Sequence, residues 1–282
     1  MVCDTDYREC PVPATNTAAP MTQQGADTPG GFVVPTNATR ITEIRIGLGA
    51  VSAAQDAVLA ASCAVHIYGS GIVLSEGWFP GPLITLSGAA ATSAGYAMTP
   101  PMVYKTNIPV RGGGVFSADA FIHGEDIADA HMILAVVYDG VPGKVVDCDY
   151  RAVDIGAAAN TLVTETTRGA VAAEGDFRPG YSRIVEVVCG AAPDVTGGDV
   201  GFNLMPTFHM SGPGLLNAGN YKFIGNVGFM LGDTDISGPG MVQNLNRYEV
   251  DIQVKRGDSV RVQGQNIESI QTLHSIVGLC YG

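Results

Sequence analysis

The chain has 282 residues, of which 46% are hydrophobic and only 15% are charged, and its formal net charge is −12. This length allows one large domain or two small ones, and the apolar content is sufficient for packed cores. The 15 Lys and Arg residues form no basic run, which argues against direct binding of nucleic acid, and no apolar stretch is long enough for a membrane-spanning helix.

Residues 1–30 consist mainly of Pro, Thr, Ala, Gln and Gly. Such a segment buries too little apolar surface to fold alone, so it predicts a flexible N-terminal arm, which its low charge would allow to order against a neighbouring subunit. The first ten residues contain no apolar core of a signal peptide. We therefore expect synthesis in a host cytoplasm, and a disulfide between Cys3 and Cys10 is disfavoured there.

Residues 31–140 show the pattern of a first β-sandwich. Ile44, Ile46 and Leu48 alternate with other residues, which predicts a strand with one buried face. Residues 53–64 are predicted to be a loop followed by a strand. The nearly continuous apolar run from Met132 to Tyr138 predicts a strand that is covered on both faces.

Residues 141–174 are predicted to be a linker, and residues 175–282 a second β-sandwich. Side chains from Tyr248 to Val254 alternate between apolar and polar, and Val260 to Val262 continue this habit after the turn at residues 255–258. Two alternating runs around a glycine-containing turn predict a β-hairpin.

The two sandwiches are predicted to be copies of one unit, because matching residues recur at a nearly constant spacing. Arg40 to Ile44 resemble Arg183 to Val187, which lie 143 positions later. The spacing persists over about 100 residues in the same order, with a slip of one position, which indicates gene duplication. The further matches are His66 with His209, Tyr104 with Tyr248, Ile108 with Ile252, Val110 with Val254, His131 with His274 and Tyr138 with Tyr281.

The predicted fold class is therefore all-β, with two tandem jelly-roll-like β-sandwich domains related by internal duplication. Turn residues recur at the spacing expected of sandwiches. An immunoglobulin-like sandwich is disfavoured because Trp78 is the only tryptophan and the Cys…Trp…Cys signature is absent.

The paired histidines are the first candidates for a metal site. Two-domain cupins carry HxH on a strand, but His66-Ile67-Tyr68 and His209-Met210-Ser211 break that motif, and His131 and His274 stand alone. We therefore predict structural histidines, and no catalytic, metal-binding or cofactor-binding residue. A two-domain cupin-like metalloenzyme remains the alternative from the enzyme class.

Aromatic residues at matching places in the two copies are the candidates for an interface. Trp78 and Phe79 lie in a segment rich in Gly and Pro, and Tyr221 and Phe223 occupy the corresponding place in the second copy. Aromatic side chains in loops often anchor contacts. They would equally serve a tandem carbohydrate-binding or attachment module, or simply cap the core of their own sandwich.

Two similar sandwiches in one chain, few charges and short turns resemble the tandem (double) jelly-roll capsid-type shell proteins of viruses. In that class two barrels per chain let a homotrimer imitate a hexagon. The resemblance implies a structural, self-assembling protein of a virion, a capsid subunit without enzymatic activity whose partner is itself. The acidic balance departs from shells that bind RNA through basic arms.

Overall fold

The computed structural model describes residues 4–11, 15–52, 59–73, 76–86, 95–98, 100–124, 130–156, 159–194, 201–216, 220–231, 241–267 and 272–282. Every regular element in these ranges is a β-strand, which confirms the all-β prediction. The strands up to residue 138 are β1 (Asp4–Pro11), β2 (Ala19–Pro20), β3 (Phe32–Val33), β4 (Arg40–Ser52), β5 (Leu59–Tyr68), β6 (Gly77–Leu86), β7 (Gly95–Met98), β8 (Met102–Pro109), β9 (Val115–Gly124) and β10 (Ala130–Tyr138).

The strands from residue 147 onward form the second half of the fold. They are β11 (Asp147–Ile155), β12 (Val163–Thr164), β13 (Arg183–Asp194), β14 (Gly201–Leu204), β15 (Pro206–Ser211), β16 (Tyr221–Ile224), β17 (Gly228–Leu231), β18 (Met241–Gln243), β19 (Asn246–Gln253), β20 (Arg261–Asn266) and β21 (Thr272–Tyr281).

Each half forms two antiparallel sheets with the same strand order. In the first unit (residues 4–138), sheet 1A is ordered β1-β10-β4-β8, and sheet 1B is ordered β2-β9-β5-β6. In the second unit (residues 147–281), sheet 2A is ordered β11-β21-β13-β19, and sheet 2B is ordered β12-β20-β15-β16. The eight strands correspond one to one between the units, so both are jelly rolls with a common topology.

The prediction of a flexible arm is wrong for the described part of residues 1–30. Strand β1 pairs along its whole length with β10, from Asp4 opposite Tyr138 to Pro11 opposite His131. Strand β2 pairs with β9. Cys10 is buried in this sheet, and Cys3 lies outside the described residues. The first unit therefore begins with β1, and these strands complete both of its sheets.

The prediction of a linker over residues 141–174 is wrong for the same reason. This stretch contains β11, which pairs with β21 from Asp147 opposite Tyr281 to Ile155 opposite Leu273, and β12, which pairs with β20. Residues 139–146 alone connect the last strand of the first unit to the first strand of the second.

The predicted hairpin around residues 255–258 is not formed. The alternation of β19 is real, with Ile252 and Val254 buried. However, β19 pairs with β13 in sheet 2A, whereas β20 pairs with β12 and β15 in sheet 2B. The turn carries the chain from one sheet across the core to the other, which local sequence cannot distinguish from a hairpin.

The burial of β10 and β21 differs although the two strands are equivalent. Residues Leu273 to Tyr281 are all buried, whereas β10 alternates, and Ile133 is 37% exposed. The prediction of two covered faces is therefore wrong for β10. Strand β21 is covered on both faces because sheet 2A has the first unit against its outer face.

The described ranges contain no helix that is long and apolar enough to cross a bilayer.

Candidate assembly faces and the contact between the units

The two units stack through unlike sheets, 1B of the first against 2A of the second. Strand β18 of the second half also pairs with β6 as an additional strand of sheet 1B. Val188, Ala192 and Ile276 are buried in the same hydrophobic cluster as the core of the first unit. The contact therefore extends that core with apolar residues of the second unit, as in contacts between permanently associated domains.

Glycines allow the two sheets to approach closely. A Cβ atom on Gly278 would lie 2.5 Å from Cγ of Pro80, and one on Gly190 would lie 2.9 Å from Cδ1 of Leu83. Real Cβ atoms do not come so close to other heavy atoms. The backbone of sheet 2A therefore packs directly on side chains of β6.

Trp78 lies inside this contact. It is on β6, and His66 stacks on its ring with centroids 3.6 Å apart and planes 8° apart. The guanidinium of Arg168, from the second unit, lies over the ring 5.1 Å from its centroid, and the Tyr150 ring is 6.0 Å away. The indole therefore joins the two units of one chain, and His66 and Arg168 occupy the positions from which a sugar would stack on it.

The other three aromatic candidates also pack inside the chain. Phe79 is fully buried, with its ring 5.2 Å from that of Tyr104. Phe223 is buried with its ring 5.3 Å from that of Tyr248, and Tyr221 packs partly buried against the same core. The expectation of exposed contact residues is therefore wrong for Phe79 and Phe223, because both point into the cores of their sandwiches.

A chain of hydrogen bonds runs through the contact. Nδ1 of His123 lies 2.6 Å from Oδ1 of Asn16, and Nε2 lies 2.7 Å from the hydroxyl of Tyr150. The Gly169 N–H donates to the same hydroxyl at 2.8 Å. Burial lowers the pKa of His123 to about 4. The neutral ring donates to Asn16 and accepts from Tyr150, so every member of the chain is satisfied.

The paired histidines have different surroundings. His66 Nε2 is 3.3 Å from a carboxylate oxygen of Glu76, and burial lowers its pKa. His209 approaches Gln265 at 3.5 Å, and His274 Nδ1 is 2.7 Å from Asp154 Oδ1. His131 is exposed on β10. Within the described ranges, no three His, Cys, Asp or Glu side chains converge as metal ligands.

A buried arginine clamp recurs in both units, and the sequence analysis missed it. Asp4-Thr5-Asp6-Tyr7-Arg8 recurs as Asp147-Cys148-Asp149-Tyr150-Arg151 at the same 143-residue spacing. This match was the signal that could have extended the repeat to β1 and β11.

The clamp of the second unit shows its chemistry. Arg151 donates to the Gly175 carbonyl at 2.8 Å and to Asp149 Oδ1 at 2.8 Å, and its guanidinium lies 4.7 Å from the ring centroid of Phe177. Arg8 makes the same bonds to the Gly30 carbonyl and to Asp6 and lies over Phe32. Each arginine fastens the first strand of its unit to the segment that leads into the next strands.

A cavity of about 360 Å³ opens at one end of the contact between the units. Asp147, Asp149, Trp78 and Arg168 line it, together with Tyr281. The Tyr281 hydroxyl is buried and has no hydrogen-bond partner among the described residues. The first unit places Asp4, Asp6 and Tyr138 in the equivalent arrangement, and the Tyr138 hydroxyl is likewise buried and unpartnered within the described ranges.

A disulfide joins the first and last strands of the second unit. Cys148 on β11 bonds to Cys280, which lies opposite it on β21. Cys10, Cys63 and Cys189 are free and buried, and burial raises the pKa of Cys10 and of Cys63 to about 12.

The outer faces of sheets 1A and 2B carry exposed apolar residues at positions whose counterparts form the contact. Strand pairing places Ala64 opposite Pro80 in the first unit and Thr207 opposite Ile224 in the second, so Ile224 is the counterpart of Pro80. Ile224 is 54% exposed.

Two further residues repeat this pattern. Val227, the counterpart of Leu83, is 62% exposed. Ile133 on sheet 1A, which is 37% exposed, is the counterpart of Ile276, which the contact buries. The outer faces of the two stacked units therefore carry apolar residues at positions equivalent to those buried between the units.

The chain was compared with known proteins. No family model and no curated protein matches it. Among solved structures it is similar to PNGF-II, at 10% identity and a TM-score of 0.37 over 98% of this chain and 66% of that one.

It is also similar to a triple jelly-roll protein of an archaeal virus and to the Penaeus vannamei nodavirus, at 8% and 11% identity, each with a TM-score of 0.19. These matches cover 96% and 100% of this chain, and 58% and 99% of the other chains. Two of the three are structures from viruses, and the likeness is architectural and weak.

Proposed function

We propose that this protein is a structural subunit that assembles with copies of itself, the outer face of sheet 2B in one copy packing on the outer face of sheet 1A in the next. The observation that carries the proposal is the exposure of Ile224 and Val227 at positions whose counterparts, Pro80 and Leu83, are buried within the chain. Exposed apolar residues grouped on one face are typical of interaction sites.

The contact within the chain supports this arrangement because it joins unlike faces. A contact between unlike faces leaves one face of each kind unused on the outside of the stacked units. Repetition of the same contact between copies produces rings or filaments. Sheet 1A of the first unit and sheet 2B of the second are these two open faces. The low proportion of charged residues agrees with a surface that is covered in the assembled state.

We propose further that the assembly is the capsid of a virion, with a homotrimer as its pseudo-hexameric tile. Three two-unit chains close such a ring when each contact turns the next unit by about 60°. The tandem jelly rolls agree with the virus shell proteins that the sequence resembles. In this role the chain is not an enzyme and requires neither a cofactor nor nucleic acid to fold.

The test is sedimentation and negative-stain imaging of the purified protein. The wild type is expected as trimers or larger particles, and the double variant Ile224→Asp/Val227→Asp as a folded monomer, because a carboxylate buried in an apolar contact is strongly unfavourable. Leu216→Asp is the matched control, since Leu216 is 56% exposed but lies in a loop beyond the sheet. A wild type that stays monomeric at high concentration would refute the proposal.

A further inference from the structure

We infer that Lys222 of one copy binds the acidic pair Asp4 and Asp6, beside the hydroxyl of Tyr138, on the next copy. The inference rests on the proposed function and names the polar group that sets the register of the contact. It follows from mapping the contact inside the chain onto the two open faces.

Lys222 occupies the place that Trp78 holds in the first unit. Strand pairing puts His66 opposite Trp78, and His209 opposite Lys222. Trp78 lines the cavity between the units, facing sheet 2A. Lys222 is exposed on the equivalent face of sheet 2B, so in the repeated contact it faces sheet 1A of a neighbouring copy.

The acidic residues that line the same cavity as Trp78 have counterparts on the edge strand β1 of sheet 1A. Inside the chain they are Asp147 and Asp149, and Asp147 lies opposite Tyr281 on the paired strands. On sheet 1A, Asp4 lies opposite Tyr138 in the same register, with Asp6 two residues along the strand.

The charges of the two contacts are rearranged in a complementary way. Inside the chain the cation is Arg168, which belongs to the same unit as the acidic pair. Its guanidinium is 3.2 Å from Asp149 and lies over the Trp78 ring. The counterpart of Arg168 in the first unit is Gln24, which is neutral and donates to Asp6 at 3.2 Å. Sheet 1A therefore has no cation equivalent to Arg168 beside Asp6, and the open face of sheet 2B carries one, Lys222, in the place of Trp78.

Tyr138 supplies an acceptor for the same lysine. Its hydroxyl is buried with no hydrogen-bond partner in the described part of the chain. An ammonium group has three donors, which is enough for two carboxylates and a phenol oxygen. A buried hydroxyl that lacks a partner in the single copy would gain one in the assembly.

The test measures self-association by sedimentation at low and at high salt. We expect Lys222→Glu to weaken association roughly tenfold at low salt, with a smaller effect at high salt, because ions screen charges at the rim of an interface. The reciprocal pair Lys222→Glu/Asp4→Lys should restore it. Asp4 is the residue to exchange because it is exposed, whereas Asp6 is bonded to Arg8. Lys255→Glu, in a turn away from both faces, is the control.

Three outcomes would overturn the inference. If Lys222→Glu associates as tightly as the wild type, or if Asp4→Lys fails to restore association, the lysine does not bind the acidic pair, while the apolar contact of Ile224 and Val227 still stands on its own test. If the wild type does not associate at all, the inference and the proposed function both fail.

Discussion

The Arg151 side chain donates three hydrogen bonds, to Gly175, Asp149 and Tyr150, and is 3% exposed. Replacing it with alanine removes the bonds to Asp149 and to the Gly175 carbonyl, and leaves that half-buried carbonyl without its side-chain donor. We expect Arg151→Ala to lower the free energy of unfolding by about 3 kcal/mol, as for other broken buried pairs. Urea unfolding followed by circular dichroism measures this loss.

Arg183 provides the control for that measurement. Its pair with Asp251 is at the surface, with the arginine side chain 49% exposed. Arg183→Ala should cost less than about 1 kcal/mol, since exposed ion pairs contribute little. Equal losses in the two variants would show that the clamp is not the source of stability.

His123 makes the fold sensitive to acid. Its pKa is about 4 in the folded protein, below the ordinary value of 6.5, so the unfolded chain binds the proton first. The stability contributed by the neutral ring is complete above pH 6.5 and is lost as the pH falls towards 4. The loss amounts to about 3 kcal/mol.

Unfolding free energies measured across this pH range in the wild type and in His123→Gln test the effect. The variant keeps a hydrogen-bonding side chain but cannot titrate, so its curve should lack this acid-dependent component. Identical curves would mean that the histidine is already accessible to protons in the folded state.

At the residue scale, alternation along a strand predicted burial correctly, whereas the composition around a residue did not. The alternation of Ile44, Ile46 and Leu48 correctly predicted their burial. The exposure of Phe79 could not be predicted correctly, because glycine and proline around it suggested a loop. These glycines and prolines lie in strand β6, where the pairing with β5 is irregular and Pro80 packs closely against Gly278 of the second unit.

Strand β21 illustrates how an element adapts to its neighbour. Gly278 faces Pro80 across the contact, and its counterpart on the open face of β10 is Ala135. Gly278→Val should lower the free energy of unfolding by about 1–3 kcal/mol, because the added carbon atoms have no space. Ala135→Val should leave the stability of the single chain nearly unchanged. Thermal or urea unfolding of both variants at low concentration distinguishes these outcomes, and similar losses would contradict the packing described.

At the element scale, the long strands were predictable and the first strands of each unit were not. β4 and β19 show clear alternation, which is a local signal. β1 pairs with β10, and β11 with β21, more than a hundred residues away in each case. Composition alone cannot reveal such distant pairing, and the repeated Asp-x-Asp-Tyr-Arg was the available signal for it.

The whole chain should unfold as one body. The main hydrophobic cluster includes residues of both units, such as Ile44 and Ile276. Separating the units would expose that shared core, so neither unit is expected to persist when the other unfolds. Calorimetry should show one transition whose calorimetric and van't Hoff enthalpies agree, and two resolved transitions would contradict this.

At this scale the duplication and the jelly-roll class were predictable, because the repeated residues keep their order along the chain. The stacking of sheet 1B on sheet 2A was not predictable. The same positions hold Pro80 and Leu83 in one copy and Ile224 and Val227 in the other, all of them apolar. Only the structure distinguishes the buried pair from the exposed pair.

The bond between Cys148 and Cys280 spans 132 positions and closes almost the entire second unit into a covalent ring. A protease that cuts any loop inside that ring leaves one molecule, whose fragments separate on a gel only after reduction. A cut within residues 139–146, which lie outside the ring, gives two fragments that separate on a denaturing gel without reduction. The second jelly roll is thereby protected against loss of its parts in a way that the first, with Thr5 and Val137 at the corresponding positions, is not.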